Sequence, residues 1–242
     1  MALTQTQVSQ LYVSIFNRAS EGEGNKFWQQ SADAKTAAND MLETAAAKEY
    51  FGASLNLNQT FVEHIYKNTL NKTVADDAAG IKFWVDALNS GMSRGEVVAS
   101  LVAAVADHSS STDPVTKAAY DQFNNRVDVS NYMADTVEKA PANYATSTKF
   151  ATSGTTGLVV TNSASTVTDA KKSVQALTID GKTFTLTAST TGDTLVGTEK
   201  SDLFNNPTKA VLINLLKRIE DHCMEILYYA YVGDLRRAMN KL

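Results

Sequence analysis

Six residues carry the chemistry this sequence offers most directly: Tyr12, Arg18 and Trp28 in one stretch, and Tyr66, Lys72 and Trp84 in another. A flat aromatic face packs on the C–H face of a pyranose, and a cation beside it donates hydrogen bonds to hydroxyls, so each trio is a candidate glycan-binding set. The competing reading is structural. Rings that recur at helical spacing are how a short helical unit builds its core, and Arg18 and Lys72 then serve as loop anchors. Other side chains do not converge on a reaction. His64, His108 and His222 stand alone, without the i+3 or i+4 partner or the thiolate that a transition-metal site needs. There is no nucleophile elbow, phosphate loop or dinucleotide glycine pattern. The acids Glu21, Glu23, Asp76 and Asp77 fall in polar loops where water solvates them. A non-enzymatic protein is expected.

The elements that position the two trios are themselves duplicated. Gly24-Asn25-Lys26-Phe27-Trp28 and Gly80-Ile81-Lys82-Phe83-Trp84 share the pattern Gly-x-Lys-Phe-Trp and contain both tryptophans of the chain. Each follows a helical segment with a tyrosine that ends in Asn and a basic residue, Tyr12 to Asn17-Arg18 and Tyr66 to Asn71-Lys72. Such tandem recurrence marks one supersecondary unit used twice. Thr4 with Gln7 forms a capping box that starts the first helix, and Asn17 ends it. A helix is expected from about Ala34 to Tyr50. The second copy opens at Asn58, crosses a loop from Thr73 to Asp77 and re-enters a helix from Gly80 to Leu88, closed by Asn89-Ser90-Gly91. Ser93 and Glu96 cap the next helix, to Ala106. Asp113-Pro114 opens another that runs to about Arg126, followed by a short helix from Val129 to Lys139.

From about residue 145 to 206 Thr and Ser dominate and helical periodicity fades. Thr146 to Thr168 reads as a linker, and Val174–Ile179 and Lys182–Thr187, joined by Asp180-Gly181, read as a β hairpin. At Asn206-Pro207 an amphipathic helix is predicted to begin. Its stretch, 207–242, carries six Lys/Arg against four Asp/Glu in a chain of net charge −4. That tail is compositionally foreign to the rest and reads either as a packing or dimer helix or as fused or read-through sequence. The expected architecture is therefore mainly α: a helical repeat domain over 1–144, a Thr/Ser-rich linker and β segment over 145–206, and a C-terminal helix over 207–242.

Composition narrows the partners. A hydrophobic content of 43% with 20% charged residues is that of a folded globular chain. The acidic balance and the lack of a basic cluster exclude a nucleic-acid binder. No run of about 18 apolar residues spans a membrane, and no cleaved secretory signal is expected at the N-terminus. The single cysteine, Cys223, excludes an intramolecular disulfide framework.

The second copy, from Tyr66 through Asn71-Lys72 and Asp77 to Gly80-Ile81-Lys82-Phe83-Trp84 and Leu88-Asn89-Ser90-Gly91, resembles a helical domain of unassigned function found in Gram-negative S-layer and RTX-type exported proteins. The first copy, from Leu11-Tyr12-Val13 to Asn17-Arg18 and Gly24–Trp28, resembles the N-terminal region by which S-layer proteins attach to lipopolysaccharide. The resemblance covers about residues 1–140. It implies an extracellular location on the cell surface, type I secretion, binding to the O-polysaccharide of lipopolysaccharide, and self-association into a lattice or oligomer. The alternative is an exported adhesin or lattice protein that makes protein–protein contacts without binding glycan. Gly192 to Asn205 resembles, in a single copy, the segment that opens calcium-binding RTX regions, which makes Asp193, Asp202 and Asn205 the calcium candidates. One such turn cannot supply six to eight oxygen ligands, so at most weak, millimolar-range binding is expected; in the bland reading Asp193 and Asp202 simply cap turns.

Overall fold

The computed structural model describes residues 2–141 and 143–177, together with the backbone of two short strands at 183–185 and 203–205. The chain divides into two compact units at residues 175 and 176. The first unit is helical, in keeping with the mainly α architecture expected from the sequence.

Helix α1 (Gln5–Phe16) starts at the Thr4–Gln7 capping box and stops at Asn17, whose left-handed backbone (φ 49°) ends the helical hydrogen bonding. Val8, Leu11 and Ile15 recur on one face of α1 and are fully buried, so this helix forms the centre of the core. Helices α2 (Gly22–Gln29) and α3 (Ala34–Glu43) follow. The single helix expected over 34–50 is broken at Thr44, which ends α3 and caps α4 (Ala45–Phe51) by accepting a hydrogen bond from the Ala47 N–H. A 3-10 turn, Gly52–Asn56, leads to the second copy.

Helix α5 (Asn58–Leu70) repeats α1 and ends at Asn71, again left-handed at φ 56°. The loop expected over 73–77 is instead the first turn of α6 (Val74–Asn89), started by a Thr73–Asp76 capping box and interrupted only at Asp77. Helix α7 (Arg94–Ala106) begins at its Ser93 cap. The two copies face each other: α1 packs on α5, and α3 packs on α7. Asn68 Nδ2 donates to the Ser14 carbonyl at 3.0 Å, and the Gly95 N–H donates to Asn39 Oδ1 at 2.8 Å; the partners are 54 and 56 residues apart, the two offsets of the repeat. Counterpart residues of the two copies thus meet where α1 packs on α5 and where α3 packs on α7.

Beyond the repeats the structure corrects several expectations. Residues 114–136 form one continuous helix, α8 (Pro114–Thr136), rather than two. Its polar middle is satisfied by tertiary partners: Gln122 donates to the Val160 carbonyl and Asn125 to the Thr161 carbonyl. The stretch expected as a linker folds onto the helical unit as α9 (Tyr144–Ser147), a parallel pair of β1 (Phe150–Ala151) with β2 (Leu158–Val159), and α10 (Ala164–Ala176). Phe150, Leu158 and Val160 are buried there, which places the domain boundary after residue 175 instead of after 144.

Val174–Ala176, expected in the first arm of a hairpin, belongs to α10, because Val167, Ala170 and Val174 share one buried helical face. In the second unit β3 (Thr183–Thr185) pairs with β4 (Leu203–Asn205) in parallel, so this strand pair is not the expected hairpin. Asp180-Gly181 and the helix expected from Pro207 onward lie outside the described residues.

Candidate functional site

The duplication builds two equivalent corners, each where a tyrosine helix meets the helix of a Phe-Trp pair. In both, a glycine one turn before the tryptophan lets the tyrosine hydroxyl and an acid come close. A Cβ on Gly24 would collide with the Tyr12 hydroxyl and the Glu21 carboxylate, and one on Gly80 with the Tyr66 hydroxyl and the Asp77 carboxylate. Within each Phe-Trp pair the rings stand edge to face at 5.0 Å, with interplanar angles of 85° and 82°. Trp28 and Trp84 are both half-buried against the core. Phe27 and Phe83 are each 63% exposed. Two adjacent residues on a helix point about 100° apart, so when one packs inward the other turns to solvent. Half-burial brings the cost of either Trp→Ala change below the about 3–5 kcal/mol that a fully buried ring implies.

Of the six candidates, Tyr12 and Tyr66 lie inside, 4% and 5% exposed. Burial and the nearby Glu21 push the Tyr12 hydroxyl pKa up, while the Trp28 side chain hydrogen-bonds to it. Burial also raises Tyr66, whose hydroxyl donates to Asp77 Oδ2 at 2.9 Å. Asp77 is held below the usual carboxylate range, first by the Gly80 N–H. These two tyrosines are thus framework, in line with the structural reading of the aromatics.

The first corner is covered. The Arg18 guanidinium lies between the Phe16 ring at 4.7 Å and the Tyr144 ring at 4.3 Å. The Tyr144 hydroxyl donates to the Ala19 carbonyl at 2.8 Å and accepts from the Glu21 N–H at 3.2 Å. The carbonyls of Val137 and Glu138 accept from the N–H groups of Gly22 and Glu23, and the Glu138 carboxylate holds Lys26 at 2.8 Å. Beneath, Ser20, Ser130 and Asn25 form a buried hydrogen-bonded set that ties α8 to the loop after α1. Arg126, 3% exposed, donates to Asn17 Oδ1 and the Asn68 carbonyl, linking the ends of α1 and α5; burial lowers its pKa to about 10.

The second corner has no such cover. Thr73 to Asp76 and Ala78-Ala79 are exposed, as is Val74 at the start of α6. Lys72 is half-buried and, among the described residues, forms no ion pair. Sequence reasoning named Tyr12, Arg18 and Trp28 together, and the structure brings them together. It missed Tyr144 and Glu138, because a lone tyrosine in a Thr/Ser-rich stretch carries no signal of where it will pack.

A cleft of about 590 Å³ opens beside α3 and the start of α7, with Asp40, Glu43, Lys48 and Arg94 on its walls. Glu43 pairs with Lys48 at 3.3 Å, and Arg94 lies over the Phe61 ring at 5.1 Å. Among the described residues no three His, Cys, Asp or Glu side chains are placed to hold a metal ion. Of the calcium candidates, Asp193 and Asp202 lie outside the described residues, and Asn205 is described only as backbone in β4.

Residues 37–105, from within α3 to nearly the end of α7, match the model of a family described as a domain of unknown function (DUF4214). No curated protein and no solved structure matches the chain.

Proposed function

We propose that this chain is a non-enzymatic attachment module of an exported S-layer-type protein, holding it at the outer cell surface through the O-polysaccharide of lipopolysaccharide. The observation that carries this reading is a ring face kept in solvent by a folded helical scaffold. Phe83 in the second repeat is 63% exposed and braced edge-on against Trp84, and the charge of Lys72, which follows the tyrosine helix of that repeat, acts on Asp76, Asp77 and Asp113. An apolar ring face held in solvent is a surface on which the apolar C–H face of a sugar can pack. Among the described residues no helix is long and apolar enough to cross a membrane.

The test is a pull-down of the chain on cells with and without O-polysaccharide. Binding is expected only to cells that carry it. Equal binding to both would sink the glycan reading in favour of an exported adhesin or lattice protein that works through protein contacts.

A further inference from the structure

The cleft beside α3 and the start of α7 is lined by groups whose hydrogen-bonding capacity the fold leaves partly unused. One part of it is rigid. Asn39 Oδ1 accepts from the Gly95 N–H at 2.8 Å, and its Nδ2 donates to Ser93 Oγ at 3.3 Å. A Cβ on Gly95 would collide with Asn39, so α3 and α7 meet there at close range. Arg94, the first residue of α7, lays its guanidinium over the fully buried Phe61 ring at 5.1 Å. Stacking holds the plane of the fork and leaves its N–H edges to other partners. Among the described residues the Arg94 side chain donates to no acceptor and pairs with no acid. Asp40 and Asn56, also in the lining, are exposed, and no described group engages their side chains.

The charges of the lining decide what suits it. Glu43 and Lys48 satisfy each other at 3.3 Å, which leaves one cationic fork and one carboxylate. An anion drawn to Arg94 would meet Asp40 and Glu43, and a cation drawn to Asp40 would meet Arg94 and Lys48. Neighbouring hydroxyls escape both penalties, because they accept from guanidinium N–H groups and donate to carboxylate oxygens. Leu42 and Leu55 give the same cleft an apolar part against which C–H groups can pack. Its volume of about 590 Å³ is that of a small-molecule site and admits a short run of sugar units. Every residue of the lining falls within 37–105, the segment that matches the family model, so the cleft belongs to that domain.

We infer that this cleft binds a short uncharged stretch of the polysaccharide through pairs of neighbouring hydroxyls, with Arg94 donating and Asp40 accepting. The inference rests on the attachment reading for its ligand and adds to it the site that reads the hydroxyls.

The experiment is a calorimetric titration of the full chain with O-polysaccharide released from the lipopolysaccharide of the encoding strain. Wild type is compared with Asp40→Ala, with Arg94→Met, which keeps an apolar stem over Phe61, and with Asp86→Ala on α6 as a control, each checked by thermal melting. Asp40→Ala and Arg94→Met are each expected to weaken binding by roughly tenfold, while Asp86→Ala binds as wild type does. Should Arg94→Met melt lower, the exposed Asp40 decides alone. Affinity is expected to hold between about 0.05 and 0.5 M salt, since screening weakens ion pairs and spares hydroxyl contacts. Binding that survives both cleft variants overturns the site and leaves the attachment reading standing. An equal loss in Asp86→Ala reveals a general charge effect and overturns the site as well. A steep fall with salt overturns the uncharged ligand. No binding by wild type overturns both the site and the attachment reading.

Discussion

The first and second repeats are alike in local structure and unlike in what surrounds them. Each has a tyrosine helix ended by a left-handed asparagine, a close glycine, and an exposed phenylalanine braced on a half-buried tryptophan. In the first, residues 137–150 close over the corner; in the second, the corner faces solvent. The difference teaches that a duplicated motif fixes a scaffold, while its later neighbours decide whether a given copy is braced or left available. The first copy is braced by later segments, and the second presents its corner to solvent.

The comparison is broken or sharpened most strongly in the core. Phe61 is fully buried in α5, whereas the position 54 residues earlier, Gln7, is exposed and only completes the Thr4 capping box. Phe61→Ala is expected to cost about 3–5 kcal/mol, and Gln7→Ala about 0.5–1 kcal/mol, both read by chemical denaturation. Similar costs would mean that the two tyrosine helices share the core evenly.

Next come the basic residues after the asparagines. Arg18 is stacked between Phe16 and Tyr144, so Arg18→Ala is expected to lose about 2 kcal/mol in packing and cation–π contact. Lys72→Ala should leave stability within about 0.5 kcal/mol of wild type, and a large loss there would show that the second corner is braced as well.

The asparagines themselves separate a backbone role from a side-chain role. Asn17 Nδ2 donates to the Phe150 carbonyl and its Oδ1 accepts from Arg126, so Asn17→Gly is expected to cost about 1–2 kcal/mol despite the favourable left-handed backbone. Asn71→Gly keeps that backbone and should change stability by only a few tenths of a kcal/mol, roughly. Equal effects would show that the caps, and not the side-chain bonds, matter in both.

The smallest effect is on pH dependence. His64 lies against Tyr50 and Phe51, and burial lowers its pKa below the ordinary 6.5. The unfolded chain then takes up this proton first, so stability is complete above pH 6.5 and declines as pH falls from there through the lower folded-state value. The counterpart in the first repeat is Gln10, which does not titrate. His64→Gln should flatten the slope of unfolding free energy in that interval, and an unchanged slope would assign it to other groups.

Short-range chemistry in the sequence determined a good part of this protein. The Thr4–Gln7 capping box, the stops at Asn17 and Asn71 and the Asp113-Pro114 helix start were legible, because each depends on backbone angles and hydrogen bonds within a few residues. The duplication was legible as well, although Phe27 and Phe83, read with the tryptophans as core, are exposed. The tertiary structure decided whatever depended on distant partners. The Asn-rich middle of α8 looked like a helix end until Val160 and Thr161 supplied acceptors for Gln122 and Asn125. Val174–Ala176 alternated like a strand, yet burial of Val167, Ala170 and Val174 on one face made it helical. Tyr144 came to cover Arg18 from 126 positions away, because a ring over a cation is set by where α8 and α9 deliver it, and no local spacing encodes that meeting.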